Sequence, residues 1–316
     1  MKILVIFTGG TIGSRLENGW IGPNESLKHT LINNYRSAYA DDIEFIPLEP
    51  YSILSENLSA NKINILIKTV CENLNSDYDG IIVTHGTDTL QYSAAALSFA
   101  VGEKSIPIVL VSSNYPLSDE RSNGNANFAA AAKLIKSKLG SGVYVAYKND
   151  GECVKFHRGT KLLAHREADD SVFSMGGCEF TEQDIDNGLK VNIPSDNNVA
   201  LGCFELCRDP KILVIDAHPG DNYAYSIERY NAVILKPYHS GTLNTSNTAF
   251  ISFCKKAKSN SIPVFVANVR SGDWYESSKK YNNLGLIPLL NSTFITSYIK
   301  VWIAISLKKD IKSFLS

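Results

Sequence analysis

Apolar positions follow two rhythms along this chain. Residues 3–7, Ile-Leu-Val-Ile-Phe, form an unbroken apolar run. Such a run fits a parallel strand covered on both faces, because alternation is lost when neither face meets water. Farther on, Ile63, Leu66, Ile67, Val70 and Leu74 recur at three- and four-residue spacing after Leu58-Ser59-Ala60, which places them on one face of a helix. The two rhythms then alternate. A buried strand is expected over 79–83, an Ala-rich helix over 90–101 with Gly102 as its stop, and a strand over 106–111. A helix over 125–139, stopped by Gly140, and a strand over 143–147 complete this half.

Residues 150–190 break the pattern with polar residues, glycines and short apolar pieces, as loops and β-hairpin edges do. Asn192-Ile193-Pro194-Ser195-Asp196-Asn197-Asn198 is the most linker-like stretch. Strand and helix then alternate again, with strands over 211–216, 232–236 and 264–268 and helices over 246–259 and 291–307. The expected fold class is α/β, built from two α/β domains. A larger N-terminal domain, 1–190, has a mainly parallel sheet. A linker, 191–210, joins it to a smaller C-terminal α/β domain, 211–316. In such sheets ligands bind beyond the carboxyl ends of the strands.

Composition removes several function classes. Among 316 residues, 31 Lys and Arg balance 32 Asp and Glu, so neither a nucleic acid nor an anionic membrane is an expected partner. The apolar start, Lys2 to Phe7, is cut short by Thr8-Gly9-Gly10-Thr11, which is too short for a secretory segment, and the expected location is the cytoplasm. No stretch approaches the roughly 18 apolar residues of a membrane helix. The six cysteines form no Cys-x-x-Cys and read as free thiols. Cys203 and Cys207 lack partners at metal-ligand spacing, so neither a metal nor a cofactor is expected.

The candidate chemistry sits at two strand ends. Phe7-Thr8-Gly9-Gly10-Thr11-Ile12-Gly13 and Val83-Thr84-His85-Gly86-Thr87-Asp88-Thr89 each run from a buried strand through glycine to threonine. Glycine permits a sharp turn and close backbone approach, leaving the threonine hydroxyl in the crevice. Either motif alone reads equally as a tight turn or as a cap for the next helix. A nucleotide site is disfavoured, since neither Gly-x-Gly-x-x-Gly nor Gly-Lys-Ser/Thr occurs. Threonine needs a base to become a nucleophile. Asp88 follows Thr87, and Lys161 of Gly159-Thr160-Lys161 is the candidate amine, although a surface lysine is the simpler reading of that residue by itself.

Together these motifs resemble the asparaginase/glutaminase family, in particular the bacterial cytoplasmic-type L-asparaginases, and the similarity runs over nearly the whole chain. The resemblance implies hydrolysis of L-asparagine, with glutamine or a broader glutaminase-asparaginase specificity as the alternative. It implies Thr11 as nucleophile and Thr87, Asp88 and Lys161 as the second catalytic group. It further implies that Ser55, in Leu54-Ser55-Glu56-Asn57, binds the substrate α-carboxylate. Glu276, in Asp273-Trp274-Tyr275-Glu276, is implied to face the substrate amine from a neighbouring subunit, so a homodimer or homotetramer is expected.

Two positions depart from the family pattern. Trp20, in Asn18-Gly19-Trp20-Ile21, stands where a lid tyrosine is usual, and an indole N–H donates but takes no proton. Glu56 stands where a neutral residue is usual; it would repel a carboxylate and attract an amine. Both motivate an alternative, a non-catalytic amino-acid sensor, against which the joint presence of Thr11, Thr87, Asp88 and Lys161 argues. Ser55-Glu56-Asn57 also occurs in amidase subunits of tRNA-dependent amidotransferases. The strand at residue 3 leaves no room for the extra N-terminal domain of that class, so that reading is not expected.

Overall fold

A computed structural model describes every residue except 18, 19, 24–26, 104, 167, 189–199, 270, 271, 273, 274 and 316, together with the backbone alone of 13–17, 20–23 and 27–29. Residues 191–199 of the expected linker, Asn18, Gly19, Asp273, Trp274 and the Trp20 side chain thus lie outside the described residues. Contacts divide the chain into two compact units, Met1–Phe204 and Glu205–Ser316.

In the first unit, β1 (Lys2–Phe7) is followed by a hairpin of β2 (Ser14–Glu17) and β3 (Trp20–Pro23), then α1 (Leu27–Ala38) and β4 (Glu44–Leu48). Next come α2 (Ala60–Asn73), β5 (Gly80–Thr84), α3 (Leu90–Val101), β6 (Ile108–Val111), α4 (Gly124–Ser137) and β7 (Val143–Lys148). The unit closes with β8 (Val154–Arg158), β9 (Glu179–Thr181) and α5 (Glu182–Asp186). The seven-stranded sheet has the order β4-β1-β5-β6-β7-β8-β9. It is parallel from β4 to β7, and β8 and β9 add antiparallel edges. Ile3, Leu4, Val5 and Ile6 are all buried, which accounts for their unbroken run. All of α3 except Tyr92 is buried, so its Ala-rich sequence shows no polar face.

The second unit holds a parallel sheet of order β10-β11-β12-β13, formed by β10 (Ile212–Asp216), β11 (Ala232–Lys236), β12 (Val264–Val269) and β13 (Leu286–Leu290). Helices α6 (Thr248–Ser259), α7 (Glu276–Lys279), α8 (Phe294–Ser306) and α9 (Ile311–Leu315) accompany it. Val233, Leu235, Phe250, Phe253 and Val266 form its core. The fold is thus the expected pairing of a larger α/β unit, with a mainly parallel sheet, and a smaller one.

Several element ends differ from the pattern-based expectation, and local chemistry explains each. Helix α4 stops before Gly140 because Lys138 takes the left-handed conformation at φ 57° and donates its N–H to Ile135 O. Strand β6 begins at Ile108, directly after Pro107, whose missing N–H and fixed φ suit a strand start. The Asn247 side chain accepts from Ala249 N at 2.8 Å, which starts α6 at Thr248 rather than at 246. Thr293 caps α8 likewise, so that helix starts at Phe294 rather than at 291.

One buried group makes stability depend on pH. His157 in β8 is 1% exposed; its Nδ1 meets Ser174 Oγ at 2.8 Å, while Nε2 is buried without a hydrogen-bond partner. Desolvation, aided by the Lys155 charge, lowers its pKa to about 4. The unfolded chain therefore binds a proton more readily than the folded one. Stability from this group is fully present above the ordinary histidine value near 6.5 and is lost as pH falls toward 4. Urea unfolding at pH 7 and pH 4.5 should show a His157→Leu variant losing less stability on acidification than wild type. Equal losses would remove His157 as the cause.

Candidate active site

Sheet register places the two Gly-Thr turns side by side. Phe7 at the end of β1 pairs with Thr84 at the end of β5, so both chains leave the same carboxyl edge next to each other. The Thr8 hydroxyl, buried at 2% exposure, ties them by donating to Thr84 O at 2.7 Å. Gly9 and Gly10 then take φ of +99° and +79°, conformations that glycine adopts without the cost a Cβ imposes. Space imposes the same requirement. A Cβ at Gly9 would overlap Ile53 O, and one at Gly10 would overlap the backbone N of Gly86. Gly10 N donates to Ile53 O at 2.9 Å and Ile53 N to Thr8 O at 3.1 Å, which draws in the third segment of the site.

That segment is the turn Ser55–Asn57. Ser55 is buried, and its hydroxyl donates to Asp88 Oδ2 at 2.8 Å while accepting from Asp88 N at 3.3 Å. Thr89 Oγ1 donates to Ser55 O at 2.8 Å. Although Thr89 precedes α3, its side chain makes no capping bond to that helix, so it spans between turns rather than starting the helix. A Cβ at Gly86 would overlap Ser55 Oγ, which makes Gly86 the third glycine of the site set by close approach.

His85 braces the second turn from below. It is buried, with Nδ1 at 2.8 Å from Gly86 O and Nε2 at 2.8 Å from Ser93 Oγ. A carbonyl only accepts, so Nδ1 carries the proton and Nε2 accepts from the serine. Burial lowers the His85 pKa and keeps the ring neutral.

Beside the second turn lies a cavity of about 280 Å³, lined by Thr87, Asp88, Asn114, His165, Arg166, Ala168, Asp169 and Asp170. Its size is just below the roughly 300–1,000 Å³ of ligand pockets, which limits it to a small metabolite. Asn114, His165, Arg166, Asp169 and Asp170 belong to no motif. For His165, Arg166, Asp169 and Asp170 the sequence signal is a polar run within the irregular region that follows β8, and Asn114 sits in the loop after β6.

The structure thus brings Ser55, Thr87 and Asp88 together, with the Thr11 turn packed against Gly86. Thr11 begins a 3-10 turn, Thr11–Gly13, and Glu56 is exposed in the Ser55–Asn57 turn. Lys161 is partly buried in the turn after β8, where its N–H donates to Arg158 O and its carbonyl accepts from Met175 N. Trp20 opens β3 opposite Glu17 of β2. Glu276, the first residue of α7, is exposed in the second unit. Among the described residues, no three His, Cys, Asp or Glu side chains are grouped so as to hold a metal ion, and no helix is long and apolar enough to cross a membrane.

Comparison with known proteins gives the family and the fold. The N-terminal asparaginase family profile matches residues 2–173, more than half the chain, and the chain belongs to the asparaginase family. It is 29% identical over 279 residues to a subunit of the glutamyl-tRNA(Gln) amidotransferase of Methanosarcina mazei, covering 84% of this chain and 64% of that protein. An L-asparaginase of Thermococcus kodakarensis is 32% identical over 151 residues, covering 46% of this chain and 44% of the relative. The solved thermostable L-asparaginase of T. kodakarensis superposes with a TM-score of 0.77 at 22% identity, covering 100% of this chain and 96% of that one. L-asparaginase I of Vibrio cholerae does so at 0.76 and 19%, covering 99% and 95%. At these identities the two structures speak for the fold.

Proposed function

We propose that the protein hydrolyses the side-chain amide of a small amino acid, L-asparagine foremost, by acyl transfer through threonine. The observation that carries this reading is the contact between the Thr11 and Thr87 turns, with Asp88 fixed by Ser55 at 2.8 Å. Thr11 attacks the amide carbon and ammonia leaves with a proton. Water, activated at Thr87 with Asp88 and Lys161, then cleaves the acyl-enzyme and releases aspartate. Gly10 N–H is held by Ile53 O, so the N–H groups of Thr11 and Thr87 are the proposed oxyanion donors. Trp20 cannot serve as base, and Glu276 of a neighbouring subunit or a bound water takes that part. Glu276 would then complete a shared site in a homodimer or homotetramer.

A second reading has its own support. The run Ser55-Glu56-Asn57, together with the likeness to an amidotransferase subunit, fits a chain whose released ammonia passes to a partner protein. The amide chemistry is the same in both readings.

Purified protein given L-asparagine should release ammonia and L-aspartate in equal amounts, with kcat/KM for L-glutamine about 10–200-fold lower. Saturable release by the chain alone favours the first reading, and release only on adding a partner protein favours the second. Asparagine binding in calorimetry without ammonia would defeat both and support a sensor.

A further inference from the structure

Two cysteines far apart in sequence meet at one place on the first unit. Cys71 lies half-buried in the last turn of α2, and Cys203 is exposed on the segment that ends the unit at Phe204. Backbone bonds hold that segment in place. Leu201 N donates to Phe99 O at 2.9 Å and Gly202 N to Ala100 O at 3.0 Å, so the segment runs along the end of α3. Ala200 fills the space beside Gly102, where an added Cβ would meet Ala200 Cβ at 3.0 Å. Helix α3 in turn packs against α2. Gly202 takes φ +74° at the turn into Cys203, whose side chain is in hydrogen-bonding contact with the Cys71 thiol. Both thiols are free.

We propose that Cys71 and Cys203 are an oxidation site, where a disulfide forms and staples the end of the first unit to α2. Cys203 is exposed and meets the oxidant first. Its thiolate attacks one sulfur of a small disulfide such as oxidised glutathione, and the departing glutathione thiolate takes up the proton that Cys203 gave to water. Cys71 then loses its proton and attacks Cys203 Sγ, which releases the second glutathione as a thiol. The protein pair loses two electrons, and the oxidant leaves as two thiols. Burial pushes the Cys71 thiol up to about 12, and Cys203 beside it adds to the rise, so Cys71 resolves the mixed disulfide rather than starting it. The last turn of α2 is loosely closed there, with Leu74 N reaching Cys71 O at 3.4 Å, which lets the sulfurs adjust. The loop closed by the bond runs from β5 to β9 and carries Thr87, Asp88 and Lys161. A cross-link over so long a stretch removes freedom chiefly from the unfolded chain. Oxidation therefore tightens the fold around these residues, whatever amide the site cleaves.

The test uses the full chain and oxidised glutathione at about pH 8, where an ordinary thiol is partly ionised. Remaining thiols are alkylated and the protein is digested without reduction. Mass spectrometry should find the Cys71 and Cys203 peptides joined, and dithiothreitol should part them. The urea midpoint of the oxidised protein should lie roughly 1 M above that of the reduced protein. Cys71→Ser and Cys203→Ser should each lose this rise, whereas Cys153→Ser, which removes another exposed thiol, should keep it. A stable glutathione adduct on Cys203 without joined peptides overturns the staple. So does joining that occurs only in urea-unfolded protein, or joining that leaves the midpoint unchanged. If a serine variant fails to fold, the peptides and the midpoint of wild type before and after dithiothreitol decide the matter alone.

Discussion

Thr11→Ala and Thr87→Ala should each reduce ammonia release from asparagine by about 10⁴-fold or more while leaving the fold intact. Removal of a covalent nucleophile in a hydrolase whose groups act as a unit costs this much or more. Neither threonine is a core residue, and the close approach of their turns depends on Gly10 and Gly86, which both variants retain. Single-turnover kinetics separate the two roles. Thr11→Ala should abolish the first release of ammonia, whereas Thr87→Ala should slow acyl-enzyme formation, its breakdown or both. A variant that folds and keeps near-wild-type turnover would remove that threonine from the mechanism.

Gly10→Ala should be strongly destabilising. The residue sits at φ +79°, and the added Cβ would overlap the backbone of Gly86 and His85, which cannot rotate away as a flexible side chain could. Left-handed backbone costs about 1–2 kcal/mol outside glycine, and overpacking adds about 1–3 kcal/mol. A loss of roughly 2–5 kcal/mol is expected, read as a lower denaturant midpoint at unchanged slope. Gly177→Ala is the matched control, because it shares a positive φ, 76°, and nothing lies within 4 Å of its added Cβ. If the two variants unfold at the same midpoint, the close contact between the turns is not rigid.

The central strands of this fold are legible in the sequence because each is covered on both faces. Residues 3–7 and 79–83 read as strands from their apolar runs, the second found as Gly80–Thr84, and α3 reads from its alanines with Gly102 behind them. The edge strands β4 and β13 carry no such signal. Glu44–Leu48 and Leu286–Leu290 each end a sheet, each contains a proline, and in β4 only Phe45 is buried. The hairpin at 14–23 is likewise absent from the expected elements. Of the candidate site, the two Gly-Thr motifs supply Thr11, Thr87 and Asp88 through short-range turn chemistry, and the family resemblance supplies Ser55. Asn114, His165 and Arg166 escape a motif search, since their positions depend on bonds such as Tyr147 to Asp170 and His165 to Thr87, which join segments far apart in sequence. The Ser55–Asp88 bond, spanning 33 positions, is equally hidden.

The bond from Thr8 to Thr84 spans 76 residues, and the two turns touch only where β1 lies against β5. Neither local helix formation nor collapse of a single segment can bring the threonines together. The proposed reactive centre can come into being only with the central, non-local strand pairing of its sheet, the kind of contact that forms slowly. A nascent or partly refolded chain can therefore be rich in helix yet chemically silent, and the onset of turnover would time the closing of that one strand pair.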